Sequence, residues 1–329
     1  MSVQSLKKYA RLYSSLDVLK TFSVGMNGSF LLTGEDADGL ALFARLVAAR
    51  IGGIPDEVAI EGHADILVYP DDSGEKKGKK KSGDDKKARQ SVMSVDDVKE
   101  IVSSLYLTPF ELSTRFYILE NADTMNEACQ NKLLKSLEEP PKGVCFLLCA
   151  TKAMLPTVES RCREIKLPPF DIETVKSSLM QNHRDEKAVT LAARASRGNI
   201  GMAEKILQDK DYTATYNSVL GILKHTEGSR QFAHAAAIYD KFTRDKTDTA
   251  LGIMEYLLCD ISRSLLGLDT VFDSADINTI SAGFTPYSAA KSTDFVREAK
   301  KHNDSNCMIP ALMDELVLKV MEVKSLCKR

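Results

Sequence analysis

The sequence predicts an α/β core built around a five-stranded parallel sheet, followed by a small three-helix domain and an all-α C-terminal domain. Three observations carry this. Over residues 1–167 short apolar runs alternate with helical patterns, as successive strand–helix units require. Pro168 and Pro169 end the strand signals. Beyond them only helical periodicity remains, in short segments over 168–209 and in longer ones over 210–329, so a domain boundary is expected near residue 168.

The strands are expected at 29–33 (SFLLT), 66–69 (ILVY), 116–119 (FYIL), 144–149 (VCFLLC) and 164–167 (EIKL). Each is a short apolar or alternating run bounded by turn or polar residues. A helix over 40–51 follows the first strand. Val95, Val98, Ile101, Val102 and Leu105 mark another by their three-and-four spacing, and Ser94 is placed to cap it by accepting a backbone N–H near Asp97. A third helix spans about 126–137 and stops before Pro140 and Pro141, since the residue ahead of a proline is pushed away from helical geometry. After the boundary, helices are expected at 172–181, 186–196 and 200–207, with Gly198 ending the second. In the C-terminal domain Leu251, Met254, Leu258, Ile261 and Leu265 share one helix face, as do Leu312, Leu316, Val320 and Val323 behind Pro310.

Segment 71–90 (DDSGEKKGKKKSGDDKKARQ) sets eight lysines and arginines against five acids with no large apolar side chain. It reads as a disordered insertion, because nothing in it offsets the entropy of ordering. Phosphate contact by its lysines is the alternative.

The whole chain bounds the possibilities further. It has 329 residues, 43% of them hydrophobic, enough for two or three ordinary cores. No run approaches the roughly 18 apolar residues of a membrane span, and the start lacks a secretory apolar stretch, so a cytoplasmic protein is expected. Seven cysteines are scattered without a paired framework and read as reduced thiols; Cys145 and Cys149 lie on one face of a buried strand, and no metal site is expected. A net charge of -2 excludes a protein that coats nucleic acid by bulk charge.

Gly34 to Gly39 (GEDADG) follow the first strand and open a helix, the placing of a phosphate-binding loop, G-x-x-x-x-G-K-[ST]. Where that pattern needs lysine and a hydroxyl for phosphate and magnesium, the chain has Leu40 and Ala41. Glu35, Asp36 and Asp38 add charge of the wrong sign for a triphosphate. The run 116–125 (FYILENADTM) has the shape of a magnesium-binding strand. Yet Glu120 stands where aspartate is usual, and Asn121 stands where a water-activating glutamate would be.

Next come ACQNKLLKSLEEPP (128–141), the strand VCFLLCATK (144–152) and LPTVESRC (155–162). Together these resemble the AAA+ clamp-loader family, which includes subunits of bacterial DNA polymerase III and of replication factor C. The likeness is strong over 116–168 and extends to about residue 208. It implies an AAA+ core over 1–167, a lid over 168–209 and a helical collar for oligomerisation over 210–329. It implies that Arg161, in the triplet Ser160, Arg161 and Cys162, reaches into a neighbouring subunit's ATP site as an arginine finger. Thr151 falls at the sensor 1 position. Gly201 falls at sensor 2, where active relatives carry arginine.

Gly34, Gly39, Leu40, Ala41, Glu120, Asn121, Thr151 and Gly201 thus outline a degenerate nucleotide site. The lost lysine, hydroxyl, base and sensor 2 arginine, and the absence of cysteine over 50–70 where gamma-type relatives hold zinc, point to the delta-prime group. The resemblance therefore implies no cofactor in this chain, Mg-ATP in its neighbours, gamma/tau and delta subunits as partners, the beta sliding clamp and primed DNA engaged through the assembly, and no membrane. An active gamma-like AAA+ ATPase, and a stand-alone scaffold or DNA-binding module that keeps the fold, are the alternatives.

Overall fold

A computed structural model of the chain describes residues 7–70, 93–209, 211–226, 229–272, 274–304 and 308–327. The expected disordered insertion at 71–90 lies outside them. The chain divides into two compact units: Met1–Phe170 with Asn199–Gly201, and Asp171–Gly198 with Met202–Arg329.

The first unit is the expected α/β layer structure. Its elements are α1 (Ala10–Ser14), β1 (Gly28–Thr33), α2 (Ala37–Gly52), α3 (Asp56–Glu61), β2 (Ile66–Tyr69), α4 (Val95–Ser104), β3 (Arg115–Leu119), α5 (Glu127–Glu138), β4 (Val144–Ala150), α6 (Pro156–Glu159) and β5 (Arg163–Lys166). The strands form one parallel sheet in the order β2-β3-β4-β1-β5. Every residue of β4 is buried, as a central strand with helices on both faces must be. Its neighbour β1 pairs in register from Gly28 with Cys145 to Thr33 with Ala150. On one face Tyr117 and Phe146 stack with centroids 5.4 Å apart and join Val98, Ile101, Leu133 and Leu137 from α4 and α5. On the other, α2 lays Leu42, Phe43, Leu46 and Ile51 against the sheet, all fully buried.

The helix starts have local causes. Asp36 caps α2, which therefore begins three residues before its apolar run does. Ser94 and Asp97 form a reciprocal capping box at α4, and Asn126 caps α5. Val95, expected on the buried face of α4, is 39% exposed, because it sits in the first turn before the helix meets the sheet.

The described residues of the second unit are helical: α7 (Ile172–Met180), α8 (Glu186–Ala195), α9 (Ile200–Gln208, whose first two residues belong to the first unit), α10 (Tyr212–Lys224), α11 (Ser229–Tyr239), α12 (Arg244–Leu265), α13 (Ser274–Ile280), α14 (Pro286–Asp304) and α15 (Ile309–Leu326). Helix α8 ends at Ala195, and the left-handed turn begins at Arg197 (φ 51°), one residue before the expected Gly198 (φ 89°). Leu251, Met254, Leu258 and Ile261 of α12 are buried, but Leu265 is 38% exposed at the final residue of the helix. Leu312, Leu316, Val320 and Val323 of α15 are all buried.

Candidate functional site

Because all five strands run parallel, the residues after β1, β3, β4 and β5 gather at one edge of the sheet, where open α/β folds place their ligands. Gly34 leaves β1 there, and Leu40 and Ala41 turn inward from the first turn of α2 with 1% and 3% exposure. Neither can present a charge or a hydroxyl to a phosphate. The Leu40 carbonyl instead accepts from the Cys149 thiol of β4 at 3.6 Å, and burial pushes both Cys145 and Cys149 far above the usual thiol range.

The N-terminus of α2 is an anion position by virtue of its free N–H groups and dipole. Here the chain fills it with its own carboxylate. Asp36 accepts from the Gly39 N–H at 3.0 Å, from the Tyr13 hydroxyl at 3.1 Å and from the Gly201 N–H at 3.1 Å. Burial above all, and then the Asp36 carboxylate, hold the Tyr13 phenol well above its ordinary range, so Tyr13 stays a donor. Its ring packs edge-on against Phe170 at 5.2 Å. Gly39 and Gly201 are glycine for a steric reason. A Cβ on Gly39 would collide with the Tyr13 hydroxyl and with Asp36, and one on Gly201 would lie 2.7 Å from Asp36 Oδ1. Position 201 therefore has no room for a side chain while Asp36 stays in place.

The cation position is closed in the same way. Glu120, at the end of β3, receives Arg45 Nη1 of α2 at 2.7 Å, and the same nitrogen donates to the Ala41 carbonyl at 2.8 Å. The pair is 12% and 25% exposed, so a guanidinium stands beside the acid that a magnesium ion would need. Asn121 takes a left-handed conformation (φ 50°, ψ 44°), which asparagine tolerates better than most residues. Its carbonyl accepts from Thr124 Oγ1 at 2.8 Å. Thr151, just after β4, donates to Asp123 Oδ2 at 3.1 Å. The site residues are thus linked, Gly201 to Asp36 and Ala41 to Glu120, by groups that satisfy one another. These residues do not fit a magnesium nucleotide.

A second feature lies between β4 and β5. Gln130 of α5, 6% exposed, accepts the Leu155 N–H at 3.0 Å and donates to the Met125 carbonyl at 2.9 Å, while Glu159 accepts the Met154 N–H at 3.0 Å. This bracing fixes the short α6 and the triplet after it. Ser160 Oγ donates to the Thr157 carbonyl at 3.2 Å. Cys162 faces inward onto the α4–α5 core, and burial pushes its thiol up to about 12. Arg161 faces outward, with Nε on Glu138 Oε2 at 2.8 Å and Nη1 on the Thr157 carbonyl at 3.0 Å.

The structure describes Gly34, Gly39, Leu40, Ala41, Glu120, Asn121, Thr151 and Gly201 at this edge and Arg161 at the second feature; Tyr13, Arg45, Gln130 and Glu138, which bond within the two features, were not among the expected site residues. Only the capping position of Asp36 ahead of a helix signalled its role as an acceptor.

Residues 55–171 match the family model described as DNA polymerase III, delta subunit. The delta' subunit of DNA polymerase III from Bacillus subtilis is 25% identical over 229 residues, which cover 65% of this chain and 68% of that one. The tau subunit from Escherichia coli is 31% identical over 114 residues, covering 32% of this chain and 18% of that one. The chain thus spans less than a fifth of the tau protein, and a match to the gamma subunit of Buchnera aphidicola covers 34% of that relative. Among solved structures, a DNA polymerase III gamma subunit-related protein from Thermotoga maritima aligns over 98% of this chain and 100% of its own, at 16% identity and a TM-score of 0.48.

Proposed function

We propose that the chain is a delta-prime-type member of the clamp-loader family of DNA polymerase III subunits, with no ATP turnover of its own, a reading supported by the family-model match over residues 55–171 and by the likeness to the Bacillus subtilis delta' subunit. In this reading it supports loading of the beta sliding clamp onto primed DNA, and Arg161 serves the ATP site of a neighbouring subunit. Its direct partners are gamma/tau and delta subunits, and Mg-ATP belongs to those neighbours. The core over 1–167, the lid over 168–209 and the oligomerising collar over 210–329 are parts of the same reading. So is a cytoplasmic location; no helix among the described residues is long and apolar enough to cross a membrane.

One observation carries the non-hydrolysing half: Asp36 occupies the anion position at α2, and Arg45 occupies the cation position at Glu120. A triphosphate entering here would face Asp36 and the neighbouring Glu35 and Asp38 with no lysine to offset them. Magnesium would have to displace an ion pair already formed. No general base stands at Asn121. The donating half is supported by Arg161, which is held outward on a braced loop while the rest of the nucleotide machinery has been lost. A guanidinium beside the transferring phosphoryl group offsets charge that builds in the transition state, an effect of about three to five orders of magnitude in rate.

Calorimetric titration of the isolated chain with Mg-ATP tests the first half. The expected result is no binding heat beyond dilution and no phosphate release. Tight binding with steady turnover would move the chain to the active, gamma-like reading. Co-elution with the gamma-type and delta subunits of its source separates an assembly subunit from a stand-alone module, which would elute by itself.

A further inference from the structure

Arg161 is held by two different elements. Glu138, the last residue of α5, accepts from Nε at 2.8 Å, and the Thr157 carbonyl of α6 accepts from Nη1 at 3.0 Å. Two acceptors fix the plane of a guanidinium, whose donors form a rigid fork. The remaining nitrogen, Nη2, has no partner among the described residues, and the side chain is 31% exposed. Glu138 itself is 56% exposed, and pairs this open add little to folding stability. It is nevertheless well anchored, because α5 ends at Glu138 ahead of Pro140 and Pro141, and Leu137 beside it is buried. A weak pair on a rigid support serves orientation better than stability.

We propose that Glu138 is a positioning residue for Arg161: it grips the Nε edge so that Nη2 is presented, already oriented, to a phosphate of a neighbouring chain. This rests on the reading of Arg161 as a residue that acts in trans. Without Glu138, Arg161 must give up rotamer freedom when it meets the phosphate. Having to order one such side chain at that moment lowers a rate by a factor of about 2 to 12. The loss falls on turnover and not on nucleotide binding, since the neighbour binds the nucleotide.

The test is a reconstituted assembly in which only the ATP site served by Arg161 is competent, with the full chain carrying Glu138→Ala, Glu138→Gln or Arg161→Ala. Expected are a drop in kcat of roughly 2- to 12-fold for Glu138→Ala, an unchanged KM for ATP, an unchanged melting temperature and normal assembly. Glu138→Gln keeps an acceptor for Nε and should recover most of the rate, which a merely structural or purely charge-based role would not produce. A native or raised rate for Glu138→Ala, beside a large loss for Arg161→Ala, overturns the proposal and leaves the arginine reading intact. A Glu138→Gln rate as low as that of Glu138→Ala overturns it too. A native rate for Arg161→Ala removes the arginine reading itself, and this proposal with it.

Discussion

Replacing Asp36 by alanine should loosen the first unit without touching its apolar core. The carboxylate accepts three bonds, from Gly39, Tyr13 and Gly201, each at 3.0 or 3.1 Å. Loss of a helix N-cap costs about 0.5–2 kcal/mol. The Tyr13 hydroxyl, on a side chain only 2% exposed, would be left without its acceptor, at a further cost of ~1–3 kcal/mol. The Gly201 N–H can turn to water and adds little. Asp36→Ala should therefore cost about 1.5–5 kcal/mol. Asp36→Asn keeps a capping oxygen and should cost about 1 kcal/mol. The effect should be non-additive with Tyr13→Phe, because the two changes remove one shared bond: on that background Asp36→Ala should cost about 1–3 kcal/mol less. Urea unfolding followed by circular dichroism gives the total. Two compact units need not unfold together, so native-state hydrogen exchange at the Gly39 and Gly201 amides gives the local part. Unchanged stability and unchanged exchange in Asp36→Ala would refute the carboxylate as the internal ligand of this site.

Other expectations follow from the same geometry. Glu120→Ala leaves Arg45, 12% exposed, with the Ala41 carbonyl but no carboxylate and should cost about 1–3 kcal/mol, below the ~3–5 kcal/mol of a fully buried pair, because Glu120 is a quarter exposed; a stability equal to the native chain's would contradict this. Burial pushes the fully buried Asp65 carboxyl up, but hydrogen bonds from Glu111, Leu112 and Phe110, with Arg115 at 3.6 Å, outweigh it and hold the carboxyl below its usual range. With the folded pKa below the unfolded value of about 3.9, Asp65 contributes stability above that value and loses it as pH falls through the folded pKa. Asp65→Asn should flatten the acid limb of a stability–pH curve, and identical limbs would count against the assignment. Cys162, its thiol pushed up to about 12, should react with a maleimide far more slowly at neutral pH than free cysteine does; equal rates, read by peptide mass, would contradict its inward packing. Arg161→Ala should leave stability within about 0.5 kcal/mol of native by thermal unfolding, and a larger loss would make Arg161 a structural residue.

The sheet was legible because its signals are local. Runs such as VCFLLC need no distant partner to be recognised as buried strands, and Ser94 and Asn126 announce their helices by the bonds they make three residues on. The errors fell where periodicity has no say. Val95 and Leu265 fit their helix faces but stand in terminal turns, where a face no longer meets the core. The expectation of a degenerate site rested on subtraction, on the residues that Leu40, Ala41 and Asn121 are not. What replaced the missing groups was hidden. Tyr13, Asp36 and Gly201 are separated by 23 and 165 positions, and no spacing rule joins them. Arg45 reads on its helix as an ordinary polar residue until the fold brings Glu120 to it. Glu138 was read as part of a family motif, and only the fold shows that it holds Arg161.

In the proposed assembly this chain turns over no ATP and supplies Arg161 to a neighbour that does. The most direct measurement is the DNA- and clamp-stimulated ATPase rate of the reconstituted assembly with every ATP site disabled except the one Arg161 serves. Arg161→Ala should assemble normally and lower that single-site rate by at least roughly tenfold. Arg161→Lys should rescue poorly, since lysine keeps the charge but not the planar fork. A native rate in both variants, with normal assembly, would contradict it.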